Sequence, residues 1–278
     1  MALDTAQIRR AADLLDEADG LIIAAGAGMG VDSGLPDFRG NEGFWKAYPA
    51  LGRSRMDFAR IASPVAFERD PGLAWGFYGH RLALYRSTRP HAGFGLLRAW
   101  GEAMPQGCRV FTSNVDGQFQ RAGFDPAAIY ECHGSIHHLQ CMDGCESAIW
   151  EAESFAPEVD QERCRLLNEA PRCPHCGGLA RPNILMFGDG GWIERRSAQQ
   201  ARRLEAWLEM VERPLVIELG AGTAVPSVRY FSQGIVARGG RLVRINPREP
   251  EVANRRDAGI AAGALEGLQA IAALRAQT

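Results

Sequence analysis

Several things are scarce in this 278-residue chain, and each shortage removes a class of function. No apolar run approaches the roughly 18 residues that a bilayer-crossing helix needs. Met1 to Arg10 lacks the unbroken apolar core of a secretion signal and passes straight into an amphipathic pattern, so a cytoplasmic location is expected. The formal net charge of −2 leaves no basic footprint for nucleic acid or an anionic membrane. Of 31 basic residues only Lys46 is a lysine, a bias in keeping with the codon preference of a GC-rich genome. Neither a G-x-S-x-G turn nor a cysteine beside a base occurs in a nucleophile setting, which argues against covalent hydrolase chemistry. Internal repeats and low-complexity tracts are missing too.

What is present starts with cysteine. Two close pairs, Cys141 with Cys145 and Cys173 with Cys176, lie 27 residues apart. Two short knuckles can together supply four thiolates to a tetrahedral Zn²⁺, and four such ligands leave no open position, so the expected site is structural. The competing reading is four unrelated thiols or two disulfides. Seven cysteines, an odd number, fit a reducing compartment better than a disulfide framework.

Hydrophobic periodicity organises the rest. Ile8, Ala11, Ala12, Leu15 and Ala18 recur at helical spacing, and the buried run Leu21–Ala25 follows, ending in Gly26-Ala27-Gly28. Comparable runs stand at Arg109–Thr112, Ala128–Tyr130, Leu215–Leu219 and Leu242–Ile245, separated by helical patterns such as Phe94 to Met104 and Arg195 to Val211. Buried strands alternating with helices predict an α/β fold, a doubly wound, Rossmann-like parallel sheet with ligands at the carboxyl ends of its strands. Residues 1–40, 91–135 and 182–278 are expected to form that domain. Residues 41–90, aromatic and helical, and 136–181, which hold the paired cysteines, are expected to be insertions building a smaller zinc-bearing domain. The stretch Ala258 to Ala273 is read as a closing helix.

Each chemistry-bearing motif follows one of these strands. Gly26-Ala27-Gly28 is a turn whose backbone can approach a phosphate, although Val31 stands where a dehydrogenase fingerprint has its third glycine. It continues into Asp37-Phe38-Arg39, an acid, an aromatic and a base that could cap a nucleotide or simply be a surface loop. Thr112-Ser113-Asn114-Val115-Asp116 suits ribose hydroxyls or an amide, or equally a helix cap. His133, followed by Gly134, suits proton transfer near neutral pH.

In their order along the chain these motifs, with Arg181–Gly188, Gly220-Ala221-Gly222 and Asn246, resemble the sirtuin family of NAD-dependent protein deacylases from about Ala24 to Leu265. The resemblance implies roles by position. Gly26, Ala27 and Gly28 would cradle the pyrophosphate of NAD. Asp37, Phe38, Arg39, Ser113, Asn114 and Asp116 would line the nicotinamide-ribose side. Gly220, Gly222, Asn246, Ala264 and Leu265 would hold the adenosine half. Ile184, Leu185, Met186, Phe187 and Gly188 would pair with the substrate peptide as an extended edge. His133 would be the base on the ribose, with Asn114 orienting the reacting end. The implied reaction passes the acyl group of a protein lysine to ADP-ribose and releases nicotinamide, which is why no side-chain nucleophile is needed.

Departures from the family pattern bear on activity. Ser113 replaces a usual Gln, Gly30 a usual Ser, Gln118-Phe119 a usual Leu-His, and Asn183 and Asp189 a usual Asp and Glu. They keep open protein ADP-ribosylation or simple NAD hydrolysis at the same site, and a non-catalytic nucleotide sensor is the reading from another class. Tyr78 and Arg81 lie three apart on a predicted helix and share a face, where a hydroxyl and a guanidinium can receive a carboxylate. That placement is similar to the sirtuin branch that removes succinyl and malonyl groups. An amphipathic helix that happens to carry both residues is the plainer alternative.

Overall fold

A computed structural model describes residues 3–36, 40–146 and 148–277. Its opening helix α1 (Thr5–Glu17) is capped by Asp4, whose carboxylate accepts from the N–H groups of Ala6 and Gln7, and it buries Ile8, Ala11, Ala12, Leu14 and Leu15. Strand β1 (Gly20–Ala25) is buried at every position, as a strand covered on both faces must be. The chain then turns through a short 3₁₀ segment, Ala27–Ser33.

Five helices follow, α2 (Gly40–Ala47), α3 (Pro49–Arg53), α4 (Phe58–Ile61), α5 (Pro64–Arg69) and α6 (Pro71–Ser87), before α7 (Ala92–Glu102) returns the chain to the sheet as β2 (Cys108–Thr112). The one-turn helix α8 (Gln118–Arg121) leads to β3 (Ile129–Glu131). A small antiparallel unit comes next, with β4 (Gly134–Cys141), β5 (Ile149–Glu151), the hairpin β6 (Val159–Asp160) and β7 (Arg165–Leu166), and β8 (Ala180–Ile184). Helix α9 (Arg195–Leu208), β9 (Pro214–Leu219), α10 (Ser227–Ala237), β10 (Arg241–Ile245), β11 (Ala258–Ile260) and α11 (Ala264–Arg275) complete the fold.

Six strands form one sheet in the order β11-β10-β9-β1-β2-β3, every pair parallel. The five predicted sheet strands are all in it. The sixth, β11, lies within the stretch read as a closing helix: Ala258 and Ile260 are buried at the sheet edge, and only from Ala264 does the chain become helical. Three residues are too few to show a period in the sequence, and alanine-rich neighbours favour the helical reading.

Connections leave β1 in opposite directions, through β2 on one side and β9 on the other, so the crevice beyond β1 and β9 is the topological switch point where ligands bind in such sheets. A separate buried cluster joins Phe44, Tyr48, Phe67, Trp75, Phe77, Tyr78 and Tyr85 with Ile136, Leu139 and Ile184. The helical insertion and the antiparallel sheet thus share one core beside the switch point. Among the described residues no helix is long and apolar enough to cross a membrane.

Candidate functional site

The turns after β1 and β9 meet backbone to backbone. Gly28 donates to the Gly220 carbonyl at 3.0 Å, and Gly26 to Leu219 at 2.9 Å. Gly220 has φ +58, and a Cβ there would lie 2.3 Å from the Gly28 Cα, so only glycine allows this approach. Asn114 closes the third side, its Nδ2 donating to the Gly26 carbonyl at 2.9 Å, while Thr112 Oγ1 accepts from the Asn114 N–H at 3.0 Å and donates to Ala25 O at 3.0 Å. Asn114 is therefore not a helix cap; it joins the glycine turn to the loop after β2.

Asp116, on the same loop, is buried and accepts from the Gln118 N–H at 2.9 Å. Burial pushes its carboxyl up to about 6, against the hydrogen bond from Gln118; Glu131 adds to the rise and Arg81 opposes it. Asn246 is also buried, and its side chain shapes backbone: Nδ2 donates to Ala221 O at 2.9 Å, and Oδ1 accepts from the N–H groups of Arg248 and Glu249. Arg229 adds two bonds to the same Ala221 carbonyl, which fixes the chain at Ala221-Gly222. Leu265 donates its N–H to Asp32 at 2.8 Å beside buried Ala264, tying the last helix to the first glycine turn. Asp37, Phe38 and Arg39 lie outside the described residues.

His133 sits where β3 gives way to β4. Gly134, at φ +79 with its Cα so near Asn183 that a Cβ would meet that carbonyl at 2.1 Å, makes the turn. The His133 carbonyl accepts from Leu185 at 2.9 Å, and its Nε2 lies 3.1 Å from Ser227 Oγ. Burial lowers the imidazole's proton affinity while a hydrogen bond to the Ser113 carbonyl raises it, and the net direction is down. The ring is therefore neutral at physiological pH, as a general base must be.

The segment Ile184–Gly188 runs past His133. Besides the Leu185 bond, Phe187 donates to Ala62 O at 2.9 Å and Met186 to Asp189 Oδ2 at 3.2 Å. Three successive N–H groups are bonded within the chain, so a peptide added at this edge must use carbonyl oxygens or displace one of these bonds. Leu185 and Phe187 keep 39% and 44% of their surface exposed, an apolar ledge beside His133. Arg181 and Asp189 fasten the segment from below with a bidentate pair at 2.7 and 2.8 Å, both side chains fully buried.

Tyr78 and Arg81 are brought together, but deep in the core. The Arg81 guanidinium donates to Tyr85 Oη at 2.6 and 2.9 Å and lies over the rings of Phe77, Tyr78 and Tyr85. Tyr85, one turn beyond Arg81, was not among the predicted residues, although the i,i+4 spacing would have found it. Ser227 was missed because 94 residues separate it from His133.

The four paired cysteines also converge. Their sulfurs all lie within 4.8 Å of one another, Cys141 to Cys176 at 3.7 Å and Cys145 to Cys173 at 3.5 Å. Tetrahedral zinc at about 2.3 Å from each sulfur sets them about 3.8 Å apart, so the residues fit the ion, and all seven cysteines are free of disulfides. The cluster belongs to the antiparallel unit, away from His133, and a four-thiolate ion there would supply rigidity and no chemistry.

Comparison with known proteins adds the context. The family model described as Sir2 family matches residues 26–220. The "NAD-dependent protein deacylase" of Thermococcus kodakarensis is 31% identical over 85% of this chain and 83% of its own length. The dog protein "NAD-dependent protein deacylase sirtuin-5, mitochondrial" is 29% identical over 87% of this chain and 77% of its own. A crystal structure described as a Sir2 homolog–NAD complex superposes with a TM-score of 0.71 over 97% of this chain and 94% of that one, at 24% identity, which speaks for the fold.

Proposed function

The chain belongs to the Sir2 family, and from that premise we propose that it is an NAD-dependent protein-lysine deacylase that favours acyl groups ending in a carboxylate. The observation that carries the reaction is a neutral, half-buried His133 set between the switch-point crevice and the apolar ledge of Leu185 and Phe187. NAD supplies a ribose carbon activated by its nicotinamide leaving group. The residues do the rest. The paired turns Gly26–Gly28 and Gly220–Gly222 lie along the phosphates, whose close approach glycine permits, while the Gly26 and Gly28 N–H groups stay on Leu219 O and Gly220 O and brace the two turns against each other. Asn114 and Asp116 orient the nicotinamide ribose, Asn246 and Ala264-Leu265 shape the adenosine side, and His133 takes the proton from the ribose hydroxyl. Residues 184–188 align the peptide.

The acyl preference rests on Arg81. A guanidinium enclosed by Phe77, Tyr78 and Tyr85 and electrostatically linked to Asp116 is a desolvated positive charge in the core behind the loop that carries Asp116. A carboxylate that reached it would make a charge-assisted bond worth on the order of 1.5–3 kcal/mol, a preference of about tenfold or more. The sirtuin-5 relative, named as a deacylase, is compatible with this reading. The test is mass spectrometry of products after incubation with NAD and acetyl-, malonyl-, succinyl- and long-chain acyl-lysine peptides. Succinyl or malonyl turnover at least equal to acetyl is expected, with Arg81→Met cutting the former sharply and sparing the latter. Equal loss of both would refute the acyl preference, and nicotinamide release that needs no acyl peptide would favour NAD hydrolysis.

A further inference from the structure

The base has an unassigned partner. Ser227 is the first residue of α10, and its hydroxyl bonds the His133 ring at 3.1 Å instead of an N–H of its own helix. The serine is held stiffly. Val228, next to it, is buried, and Arg229 is tied to Ala221 O, to Glu249 and, at 3.6 Å, to buried Glu218. Pro226 precedes it and restricts the approach to the helix. On its other side lies the Ser113 carbonyl, a group that can only accept and that raises the ring's proton affinity. A neutral imidazole that donates to a carbonyl presents its second nitrogen bare, and a hydroxyl can donate to it.

We propose that Ser227 is a positioning residue for the deacylation base: with the Ser113 carbonyl it fixes the tautomer and plane of His133, and it turns to accept a hydrogen bond when the ring gains a proton. This rests on His133 being the base in the function proposed above. The balance is simple, because the ribose hydroxyl proton moves to the ring nitrogen and the Ser227 O–H rotates away without leaving. A base oriented by a third group is the general arrangement of activated sites, here with a hydroxyl in place of a carboxylate. Among the described residues, charged groups on the surrounding elements are committed elsewhere: Glu131 to Arg196 at 2.6 Å, Arg229 to Glu218 and Glu249, and Asp116 to the Gln118 N–H. The segment 184–188 brings no charge.

The experiment compares Ser227→Ala, Ser227→Thr and His133→Ala across pH, with NAD and the best acyl peptide. Alanine is a better helix former than serine, so folding should be kept, and the melting temperature verifies it. Charge-assisted hydrogen bonds are stronger than neutral ones, so removing the hydroxyl weakens the protonated ring more than the neutral one. Ser227→Ala should lower kcat by about tenfold, move the acid limb of the kcat profile to lower pH by roughly half a unit, and leave KM for NAD little changed. Ser227→Thr, which keeps the hydroxyl, should restore both rate and limb. A Ser227→Ala enzyme within about twofold of wild type at every pH overturns the proposal. So does a slower enzyme whose acid limb has not moved and which threonine does not rescue, since that is a packing effect. If His133→Ala keeps full activity, the assignment of the base has failed instead, and the two failures are told apart.

Discussion

Replacing Asp189 by asparagine isolates the device that holds the Ile184–Gly188 segment. The wild-type carboxylate receives both ends of the Arg181 guanidinium at 2.7 and 2.8 Å, together with the N–H groups of Met186 and Gly191, and neither partner of the ion pair sees solvent. Asparagine keeps the shape but leaves Arg181 as a buried charge without a counterion. Breaking a buried pair from one side costs about 3–5 kcal/mol, most of it the desolvation of the charge left behind. For a chain of this size each kcal/mol moves the melting point by about 2–4 °C, so Asp189→Asn should melt roughly 6–20 °C lower. Because the same carboxylate orients Met186, KM for the acyl peptide should rise at permissive temperature while NAD binding stays nearly intact. Thermal melts, urea titration and steady-state kinetics measure the three effects. The double variant Arg181→Met, Asp189→Leu should be less damaged than Asp189→Asn alone, since apolar groups of similar volume leave no stranded charge. A loss below about 1 kcal/mol for Asp189→Asn, or a double variant worse than the sum of the singles, would refute this account of the segment.

Three further outcomes follow from the site. His133→Ala should lower deacylation by about 10² to 10⁴ while NAD binding, read by calorimetry, persists; a loss under tenfold would mean that another group is the base. One zinc per chain is expected by metal analysis of the purified protein, and Cys173→Ser or chelation should release it and loosen the antiparallel unit first by hydrogen exchange, whereas undiminished zinc in the variant would remove Cys173 from the site. Asp116 has a folded proton affinity raised from 3.8 to about 6, so the stability it contributes is complete below pH 3.8 and is lost as pH rises through 6. Asp116→Asn should therefore be more stable than wild type at pH 7 by on the order of 2–3 kcal/mol, similar to it near pH 4, and poorer in turnover; equal stability at both pH values would refute the buried-carboxyl reading.

The parts of the molecule legible in its sequence are those whose physics is local. A strand buried on both faces is apolar along most of its length, so β1, β2, β3, β9 and β10 announce themselves despite buried Glu131, Glu218 and Arg244, while β11, three residues with a glycine in the middle, does not. Thiol pairs need only close spacing within each knuckle, and the 27 residues between the pairs do not hinder the sulfurs from meeting. The glycine turns are legible as turns, but their purpose depends on two of them coming face to face across β1 and β9, a contact between Gly28 and Gly220 that no local pattern encodes. The Tyr78 and Arg81 pair shows the opposite limit. Helical spacing places the two on one face correctly, yet whether that face meets solvent, ligand or core is decided by α6 lying inside the second hydrophobic cluster, and there the arginine's bonded partner is Tyr85.

The same distinction explains why the departures from the family pattern are easier to see than to interpret. Asp189 in place of glutamate shortens a side chain by one methylene, and the structure shows the shorter carboxylate still gripping Arg181 in a bidentate pair, because β8 and the turn after it bring the two within reach. Asn183 for aspartate changes charge, not size, and its amide nitrogen now donates to Gln140 Oε1 and to Ile193 O, bonds that a carboxylate could not make. Gln140 in turn donates to Gly191 O and accepts from Ile193 N–H, so the neutral pair Asn183 and Gln140 stitches the segment after Gly188 back onto the antiparallel sheet. In this chain the substituted positions carry a connected set of hydrogen bonds around the same strand. The strand is held beside His133 by the Leu185 N–H bond to the His133 carbonyl and by these side-chain bonds behind it.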